Sequence, residues 1–301
     1  MFGKPKGVRT MRGDDSDIWS AYWRTAPRDG CTAGLPPAVA AAIAARWRTA
    51  FAACRDATLL DIGTGGGAVL AHALASGLPA DHLTGVDHAQ VAPAIGGVVM
   101  HTGLDAAALP FEEDSFDIVV SQFGIEYAGW RAALGEVARV ARKSLLLLVH
   151  HRDSALVRHG REQAAQAHML LRDEALATAL RAEDPQAAGR SIAALRPAAD
   201  NHGLLDQLAE ATATVAAMRA GGEAPDAAID HIIAELLAHA ARMTAMADAA
   251  LDDAAFAEAA ALLRGAGYAV TLEPQRAAGD ALVAMWIAAD RINSHAMESQ
   301  A

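Results

Sequence analysis

Short apolar runs alternate with helical segments along residues 58–149, and this alternation constrains the fold more than any other feature of the sequence. Runs of this kind indicate strands that are buried on both faces of a parallel sheet. The predicted strands are Thr58–Ile62, Leu83–Val86, Val98–His101, Phe116–Val120, Leu145–Val149, Tyr268–Leu272 and Ala281–Ile287. Helices are predicted at Trp130–Val140 and Asp252–Arg264. The pattern therefore predicts an α/β fold with a doubly wound, mostly parallel sheet of seven strands.

The first predicted strand ends in a cluster of glycines, LLDIGTGGG, at residues 59–67. Glycines at a strand-to-helix turn let the backbone approach a ligand closely and leave helix N–H groups pointing at it. Gly63, Gly65 and Ala68 also fit the G-x-G-x-x-G/A pattern of nicotinamide-dependent enzymes, so the glycines alone leave the ligand open. A turn that needs glycines only for tight packing is the structural alternative.

Three acidic residues near strand ends narrow the choice of ligand. Asp61 lies in an apolar strand two residues before the first glycine, where a carboxylate is costly unless it is paired or solvated. Asp87 closes the second strand, where an acid can accept both hydroxyls of a ribose. Asp105 follows the third strand and precedes a Leu-Pro-Phe turn. Because ligands of open α/β sheets bind at the carboxyl ends of the strands, we expect the three carboxylates to converge at that edge of the sheet.

Together these segments resemble the class I S-adenosylmethionine-dependent methyltransferases, particularly the group that acts on small molecules. The glycine motif of that family, D/E-x-G-x-G-x-G, is matched by Asp61, Gly63, Gly65 and Gly67. The resemblance covers Leu59 to about His151 and, more weakly, Tyr268–Ile287. It implies a Rossmann-like seven-stranded sheet with an antiparallel last strand, and S-adenosylmethionine as the cofactor.

The resemblance also implies which residues surround the nucleoside of the cofactor. The ribose-binding acid of the family falls on Asp87, which His88 follows in the sequence. The adenine-contacting acid falls on Asp105, with the backbone of Ala106 nearby. We therefore expect these four residues to belong to the cofactor site.

Two further pairs of residues are predicted to bind the cofactor on the same basis. Ser121 and Gln122 follow the fourth strand, where the family contacts the methionine part of the cofactor. Tyr22 and Trp23 lie on an aromatic face of a predicted N-terminal helix. Family members often fold such a helix over the cofactor, and a sulfonium cation favours aromatic faces. Packing of this aromatic face on the core is the alternative.

The candidates for catalysis are two histidines and two residues after the fourth strand. Methyl transfer requires an aligned acceptor, and a base helps when the acceptor is a hydroxyl or an ammonium. His150 and His151 end the fifth strand, and only one of them can face the ligand because side chains alternate along a strand. Glu126 and Tyr127 are candidates for substrate contact. All four also have ordinary structural interpretations, as strand-end histidines or residues that open a helix.

The predicted domain organisation places a helical insert within the cofactor-binding domain. Residues 1–16 are predicted to be a flexible arm, 17–56 an N-terminal helical cap, 57–151 and 252–290 the cofactor domain, 152–251 the insert, and 291–301 a tail. The insert has helical periodicity and no strand pattern. By the resemblance it covers the acceptor as a lid; internal packing and a homodimer contact are the alternatives.

Composition and motifs exclude several other classes of function. With 25 basic and 36 acidic residues the net charge is −11, which argues against a nucleic-acid partner. Cys31 and Cys54 form neither a disulfide framework nor a metal-binding pair, so no metal site is predicted. No apolar run reaches the roughly 18–20 residues of a membrane span, and the N-terminus has no signal-peptide pattern. These observations predict a cytoplasmic protein without a membrane partner.

The sequence thus predicts a methyltransferase that transfers the methyl group of S-adenosylmethionine to a small organic acceptor under a helical lid. One alternative keeps the cofactor and changes the chemistry to cyclisation or decarboxylation. A second is a non-catalytic module that binds the nucleoside, and a third is a nicotinamide-dependent oxidoreductase. The positions of Asp61 and Asp105 disfavour the third.

Overall fold

The computed structural model describes residues 13–292 except for 31, 33, 92–94, 183, 185 and 201. Most of the predicted arm and tail, and Cys31, therefore lie outside the described residues. The chain forms two compact units. The first is built from the residues up to 156 together with those from 249 onward, and the second comprises residues 157–248.

A seven-stranded sheet forms the centre of the first unit. Its strands are β1 (Leu59–Ile62), β2 (Leu83–Asp87), β3 (Val99–Thr102), β4 (Phe116–Gln122), β5 (Ala141–Val149), β6 (Tyr268–Arg276) and β7 (Leu282–Arg291). Their order in the sheet is β3-β2-β1-β4-β5-β7-β6. The strands from β1 to β5 pair in parallel, whereas β7 pairs antiparallel with both β5 and β6. The predicted α/β fold, the seven strands and the antiparallel last strand are confirmed, and the sheet is mixed.

Ten α-helices occur among the described residues. They are α1 (Gly13–Thr25), α2 (Pro37–Ala52), α3 (Ala68–Ala75), α4 (Trp130–Val140), α5 (Ala155–Leu171), α6 (Ala175–Arg181), α7 (Ala187–Leu195), α8 (Gly203–Ala220), α9 (Asp226–Ala249) and α10 (Asp253–Gly265). Short 3₁₀ turns lie at Ala80–His82, Ile125–Ala128, Arg172–Glu174, Arg196–Ala198 and Ala278–Asp280. None of the helices in the described part of the chain combines the length and the apolarity that a membrane crossing requires.

Helix α2 shows how the apolar pattern produces the packing. Pro37 opens the helix, where its missing N–H and fixed φ are tolerated. Its buried residues, spaced four apart as the sequence predicts, are Val39, Ile43, Trp47 and Phe51. The Trp47 ring stacks on Phe51 and meets Trp286 of β7 edge-on, with ring centroids 5.8 Å and 5.0 Å apart. The helix therefore covers one face of the sheet through aromatic contacts.

The second unit contains helices α6, α7 and α8 and most of α5 and α9, and it has a core of its own. Buried residues of its apolar cluster include Leu170, Leu176, Ile192, Leu205, Ile229 and Leu236. The unit comprises fewer residues than the predicted insert, 152–251, because the residues at both ends of that range belong to the first unit, where they pair with each other. The N–H of Arg152 donates to the carbonyl of Leu251 at 2.7 Å, and the N–H of Leu251 donates to the carbonyl of His150 at 3.0 Å.

Asp117 of β4 is a buried carboxylate that joins neighbouring segments of the first unit. Its Oδ2 accepts the backbone N–H of Thr58 at 3.1 Å, and its Oδ1 accepts Arg142 Nε at 3.0 Å and Lys143 Nζ at 2.9 Å. Desolvation by itself raises the pKa of Asp117, but the bonds from Lys143, Thr58 and Arg142 outweigh it and lower the pKa to about 2.

We expect Asp117→Asn to destabilise the fold in a pH-dependent way. Because the pKa of Asp117 is lower in the folded chain than in the unfolded chain, the ionised group stabilises the fold above about pH 4, and this stabilisation is lost as the pH falls towards 2. Urea unfolding should give a loss of about 1–2 kcal/mol at pH 7 and about half of that at pH 3. Asp81→Asn, at an exposed position, is the control. An equal loss at both pH values would contradict the role of the charge.

Candidate functional site

Two adjoining cavities lie at the carboxyl ends of β1, β2 and β4 in the first unit. The larger cavity, about 640 Å³ including the part open to solvent, is lined by Trp19, Trp23, Ile62, Gly63, Val86, Asp87, His88, Leu104, Asp105, Ala106, Phe123, Gly124, Tyr127 and Ala128. The smaller cavity, about 280 Å³ including the part open to solvent, is lined by Trp23, Arg28, Asp29, Asp61, Gly63, Thr64, Ala68, Val69 and Gln122. We name it the polar cavity after the polar and charged side chains in this lining. Trp23 and Gly63 belong to both linings, so the two cavities share a wall.

The glycine loop after β1 approaches its neighbours too closely to carry side chains. Gly63 and Gly65 have φ values of 67° and 49°, in the region that favours glycine. A Cβ atom at Gly63 would lie 2.7 Å from the Cα of Gly124, and one at Gly65 would lie 2.3 Å from the indole of Trp23. The loop therefore packs directly against the turn after β4 on one side and against α1 on the other.

Asp87 and Asp105 both face the larger cavity. Asp87 Oδ2 accepts the N–H of Gly65 at 2.7 Å, and its Oδ1 accepts the N–H of Ala89 at 2.8 Å. Burial raises the pKa of Asp87, and the two backbone donors oppose this effect. Asp105 Oδ1 accepts the N–H of Ala107 at 2.9 Å. Both carboxylates are held in place by backbone donors at the cavity wall.

Asp61 lies in the polar cavity and is only 1% exposed. Its Oδ2 accepts the hydroxyl of Thr64 at 2.7 Å. Burial raises its pKa to about 7; the bond from Thr64 lowers the pKa and the nearby charge of Asp87 raises it further. The three predicted carboxylates therefore surround two joined cavities, with Asp61 in one and Asp87 and Asp105 in the other.

Comparison with known families identifies this part of the chain. Residues 60–149, from β1 to the end of β5, match the family model of a methyltransferase domain. This part of the chain is therefore similar to a methyltransferase domain. No curated protein matches the sequence in a direct comparison.

Solved structures similar to this chain include three methyltransferases. One from Thermotoga maritima, described as a possible histamine N-methyltransferase, is 13% identical, with 91% of this chain and 99% of that chain covered and a TM-score of 0.44. The 1,6-didemethyltoxoflavin-N1-methyltransferase of Burkholderia thailandensis is 12% identical, with 97% and 94% covered and a TM-score of 0.46. A methyltransferase of Methanosarcina mazei is 15% identical, with 79% and 93% covered and a TM-score of 0.39.

Some of the predicted cofactor residues lie behind the cavity walls of the methyltransferase domain. Ser121 is fully buried and lines neither cavity, because its hydroxyl donates to the carbonyl of Ile62 at 2.8 Å and accepts the N–H of Ile125 at 3.1 Å. Gly67, the αL residue that precedes α3, also lies outside both linings. Gln122 does line the polar cavity, and its Oε1 accepts the indole N–H of Trp47 at 2.7 Å.

The aromatic residues of α1 contribute to the cavity walls in different ways. Trp23 lines both cavities, whereas Tyr22 lines neither and packs edge-on against Trp23 with ring centroids 4.9 Å apart. Trp19 and Tyr127 both line the larger cavity, and their rings pack edge-on with centroids 5.4 Å apart. The helix thus covers the methyltransferase domain with two tryptophans, and Tyr22 supports one of them.

Glu126 and His150 form a buried pair next to the larger cavity. Glu126 Oε1 lies 2.7 Å from His150 Nδ1 and also accepts the backbone N–H of His150 at 3.0 Å. The Glu126 side chain has no exposed surface and that of His150 has 6%. Phe123 stacks on the imidazole at 4.2 Å between ring centroids, and Tyr127 meets it edge-on at 6.1 Å. The pair itself lines neither cavity, and its two aromatic neighbours line the larger one.

His151 faces away from this pair. Its Nε2 lies 3.1 Å from Asp253 Oδ1, and its Nδ1 accepts the N–H of Asp153 at 3.1 Å. The ring stacks on Phe256 of α10 with an angle of 3° between the planes. The structure therefore does not bring His151 to the cavities. Among the described residues, no group of three His, Cys, Asp or Glu side chains could hold a metal ion.

Sequence reasoning missed three polar residues of the polar cavity: Arg28, Asp29 and Thr64. Thr64 lies inside the glycine motif, and its distance of three residues from Asp61 was a usable signal. Arg28 and Asp29 lie in the turn after α1, where no motif marks them.

Replacing the buried carboxylate of Asp61 should stabilise the ligand-free chain. Because the pKa of Asp61 is about 7 when folded and near 3.8 when unfolded, its contribution to stability falls as the pH rises from about 4 to 7 and stays low above that. We expect Asp61→Asn to raise Tm at pH 8 and to raise it less at pH 5, measured by calorimetry. Asp56→Asn, at an exposed position, provides the comparison. A lower Tm at pH 8 would rule out an uncompensated buried charge.

Proposed function

We propose that the chain is a methyltransferase that transfers the methyl group of S-adenosylmethionine to a small organic acceptor. The observation that carries this proposal is the arrangement of Asp87 and Asp105 on one cavity, next to the glycine loop that separates it from Asp61. Gly63 of this loop lines both cavities, so the loop backbone is open to a ligand at that residue. The residues present therefore fit the cofactor.

The larger cavity is suited to the nucleoside of the cofactor. Asp87 accepts one backbone N–H on each oxygen, and a carboxylate has further lone pairs with which it can accept ribose hydroxyls. We assign Asp105 and the backbone of Ala106 to contacts with the adenine. His88 lines the same cavity and is assigned to the nucleoside as well. Ile62, Val86 and Leu104 supply apolar surface for the base.

The polar cavity is suited to the methionine part of the cofactor. Asp61, Gly63 and Gln122, which line this cavity, are assigned to this part, whereas Gly65 and Gly67 of the glycine motif line neither cavity. Trp23 lies in the wall that the two cavities share, where its ring can attract the sulfonium cation. Tyr22 is assigned the supporting role that its contact with Trp23 indicates.

His150 is assigned the role of the base, and Glu126 positions it. S-adenosylmethionine supplies a methyl group on a positively charged sulfur. With Nδ1–H donated to Glu126 Oε1, Nε2 of His150 is free to accept a proton from a hydroxyl or an ammonium. Tyr127 lines the larger cavity and is assigned to acceptor contact. The engaged ring nitrogens of His151 support a structural role for that residue.

We also propose that the helical insert covers the acceptor. The support is its points of attachment, because the chain leaves the first unit just after β5 and returns next to the same residues through the bridge between His151 and Leu251. A net charge of −11 supports a small-molecule acceptor over a nucleic acid. A cytoplasmic location and a homodimer stay predictions from the sequence.

Ligand titrations test the cofactor assignment. We expect S-adenosylhomocysteine to bind the full chain and NAD not to bind, measured by isothermal titration calorimetry. Asp87→Ala and Asp105→Ala should each weaken binding by about 1–3 kcal/mol, because a donor of the ligand loses its acceptor in the cavity wall. Asp81→Ala, at an exposed position, is the control. Binding of NAD without binding of S-adenosylhomocysteine would refute the proposal.

Turnover of small acceptors tests the assigned base. The chain is incubated with S-adenosylmethionine and a panel of phenols, catechols and primary amines, and methylated products are measured by mass spectrometry. We expect His150→Gln to lower kcat by about 10²–10⁴-fold and to leave S-adenosylhomocysteine affinity unchanged. Glu126→Gln should lower kcat less, because it keeps an oxygen that accepts Nδ1–H. His159→Gln, at an exposed position, is the control, and full activity of His150→Gln would contradict the assignment.

A further inference from the structure

Phe123 is a buried aromatic residue with a strained backbone, in the turn that follows β4. Its φ is 56°, in the left-handed region that a bulky side chain rarely adopts, and only 5% of the residue is exposed. A conformation of this kind persists only where the surrounding structure enforces it, and such conformations cluster at functional sites. The other non-glycine residues with a positive φ in the described part of the chain are exposed and acidic: Asp114, Asp173, Glu174 and Asp280.

Contacts on both sides of Phe123 hold the turn in this conformation. The N–H of Phe123 donates to the carbonyl of Leu148 in β5 at 2.8 Å. Before it in the chain, the hydroxyl of Ser121 donates to the carbonyl of Ile62 in β1 at 2.8 Å. After it, Gly124 packs so closely that a Cβ atom there would lie 2.7 Å from the same carbonyl oxygen. The backbone therefore cannot relax at Phe123 without losing contacts to β1 and β5.

Phe123 connects the larger cavity to His150. It lines that cavity, and its ring stacks on the imidazole of His150 with centroids 4.2 Å apart and 25° between the planes. On the same imidazole, Nδ1 lies 2.7 Å from Glu126 Oε1. The hydrogen bond sets which nitrogen faces Glu126, and the stack sets the plane in which the imidazole lies. Together the two contacts fix the direction of Nε2.

We propose that Phe123 is a positioning residue that holds the imidazole of His150 in the plane from which Nε2 meets the acceptor. The proposal rests on the proposed function, because His150 acts as a base only in that reaction. Phe123 neither donates nor accepts a proton, and it acts through His150. The turn keeps its strained conformation because that conformation brings the ring of Phe123 onto the imidazole.

The second histidine after β5 provides a matched control. His151 also stacks on a phenylalanine, Phe256 of α10, with ring centroids 5.5 Å apart and 3° between the planes. Phe256 is 2% exposed and lines neither cavity. Phe256→Leu therefore removes the same kind of stack from a histidine that the structure does not bring to the cavities.

A double-mutant cycle on kcat tests the proposal. Phe123→Leu and Phe256→Leu are each prepared in the full-length chain with and without His150→Gln, and turnover is measured with an acceptor that the unchanged chain methylates. We expect Phe123→Leu to lower kcat by about 10- to 100-fold, because the base is misdirected. S-adenosylhomocysteine affinity, measured by calorimetry, should change by less than about threefold, because leucine keeps an apolar side chain at the cavity.

The background of the substitution separates positioning from a structural role. With His150→Gln present, Phe123→Leu should cause no further loss of kcat, because the ring then has no base to orient. Phe256→Leu should leave kcat unchanged in both backgrounds. Full kcat of Phe123→Leu, or an equal loss with and without His150→Gln, would overturn the proposal. Failure of the unchanged chain to bind S-adenosylhomocysteine would instead refute the proposed function, so the two failures are distinguishable.

Nuclear magnetic resonance tests the stack without turnover and with a second variant. The face of an aromatic ring shields the protons above it, so the carbon-bound imidazole protons of His150 should resonate upfield in the unchanged chain. Phe123→Gly should move these signals downfield, and glycine adopts a φ of 56° without strain. Phe256→Leu should move the signals of His151 and leave those of His150 in place. Signals of His150 that do not move in Phe123→Gly would overturn the proposal.

Discussion

The hydrogen bond from the N–H of Gly65 to Asp87 Oδ2 connects the parts of the chain on which the site depends. It spans 2.7 Å and joins the glycine loop after β1 to the end of β2. Gly65 needs a positive φ of 49° to make this bond, and Trp23 occupies the space that a side chain would take. The loop, the carboxylate and α1 are therefore interdependent, and a side chain at Gly65 would displace all three.

The same arrangement buries two carboxylates that do not stabilise the fold. Asp61 and Asp87 are both buried, and burial raises the pKa of each. Asp117, a buried carboxylate of similar exposure, has instead two cationic partners and a lowered pKa. The contrast separates a carboxylate that stabilises the fold from two carboxylates whose pKa is raised by burial, and perturbed groups in cavities are typical of functional sites.

The strands, helices and turns that depend on a local sequence pattern could be predicted from the sequence. The seven strands, α4 and the buried face of α2 follow from periodicity, because a strand or a helix face is read from neighbouring residues. The glycine motif and Asp87 were predictable for the same reason, since they lie at the turns where strands end. The positions of Ser121 in β4 and Tyr22 in α1 behind the cavity walls were not, because they depend on contacts with β1 and with Trp23 that form only in the folded chain.

The sequence by itself determined the α/β fold, the glycine loop and the carboxylates at the strand ends, because each is set by residues within one element or one turn. Only the tertiary structure decided which histidine pairs with Glu126, which carboxylate occupies which cavity, and that Arg28 lines the polar cavity. Each arrangement involves separate elements: Arg28 and Asp61 line the same cavity, and Glu126 pairs with His150. These arrangements form when the sheet brings the ends of its strands together, so they cannot be predicted from a local sequence pattern.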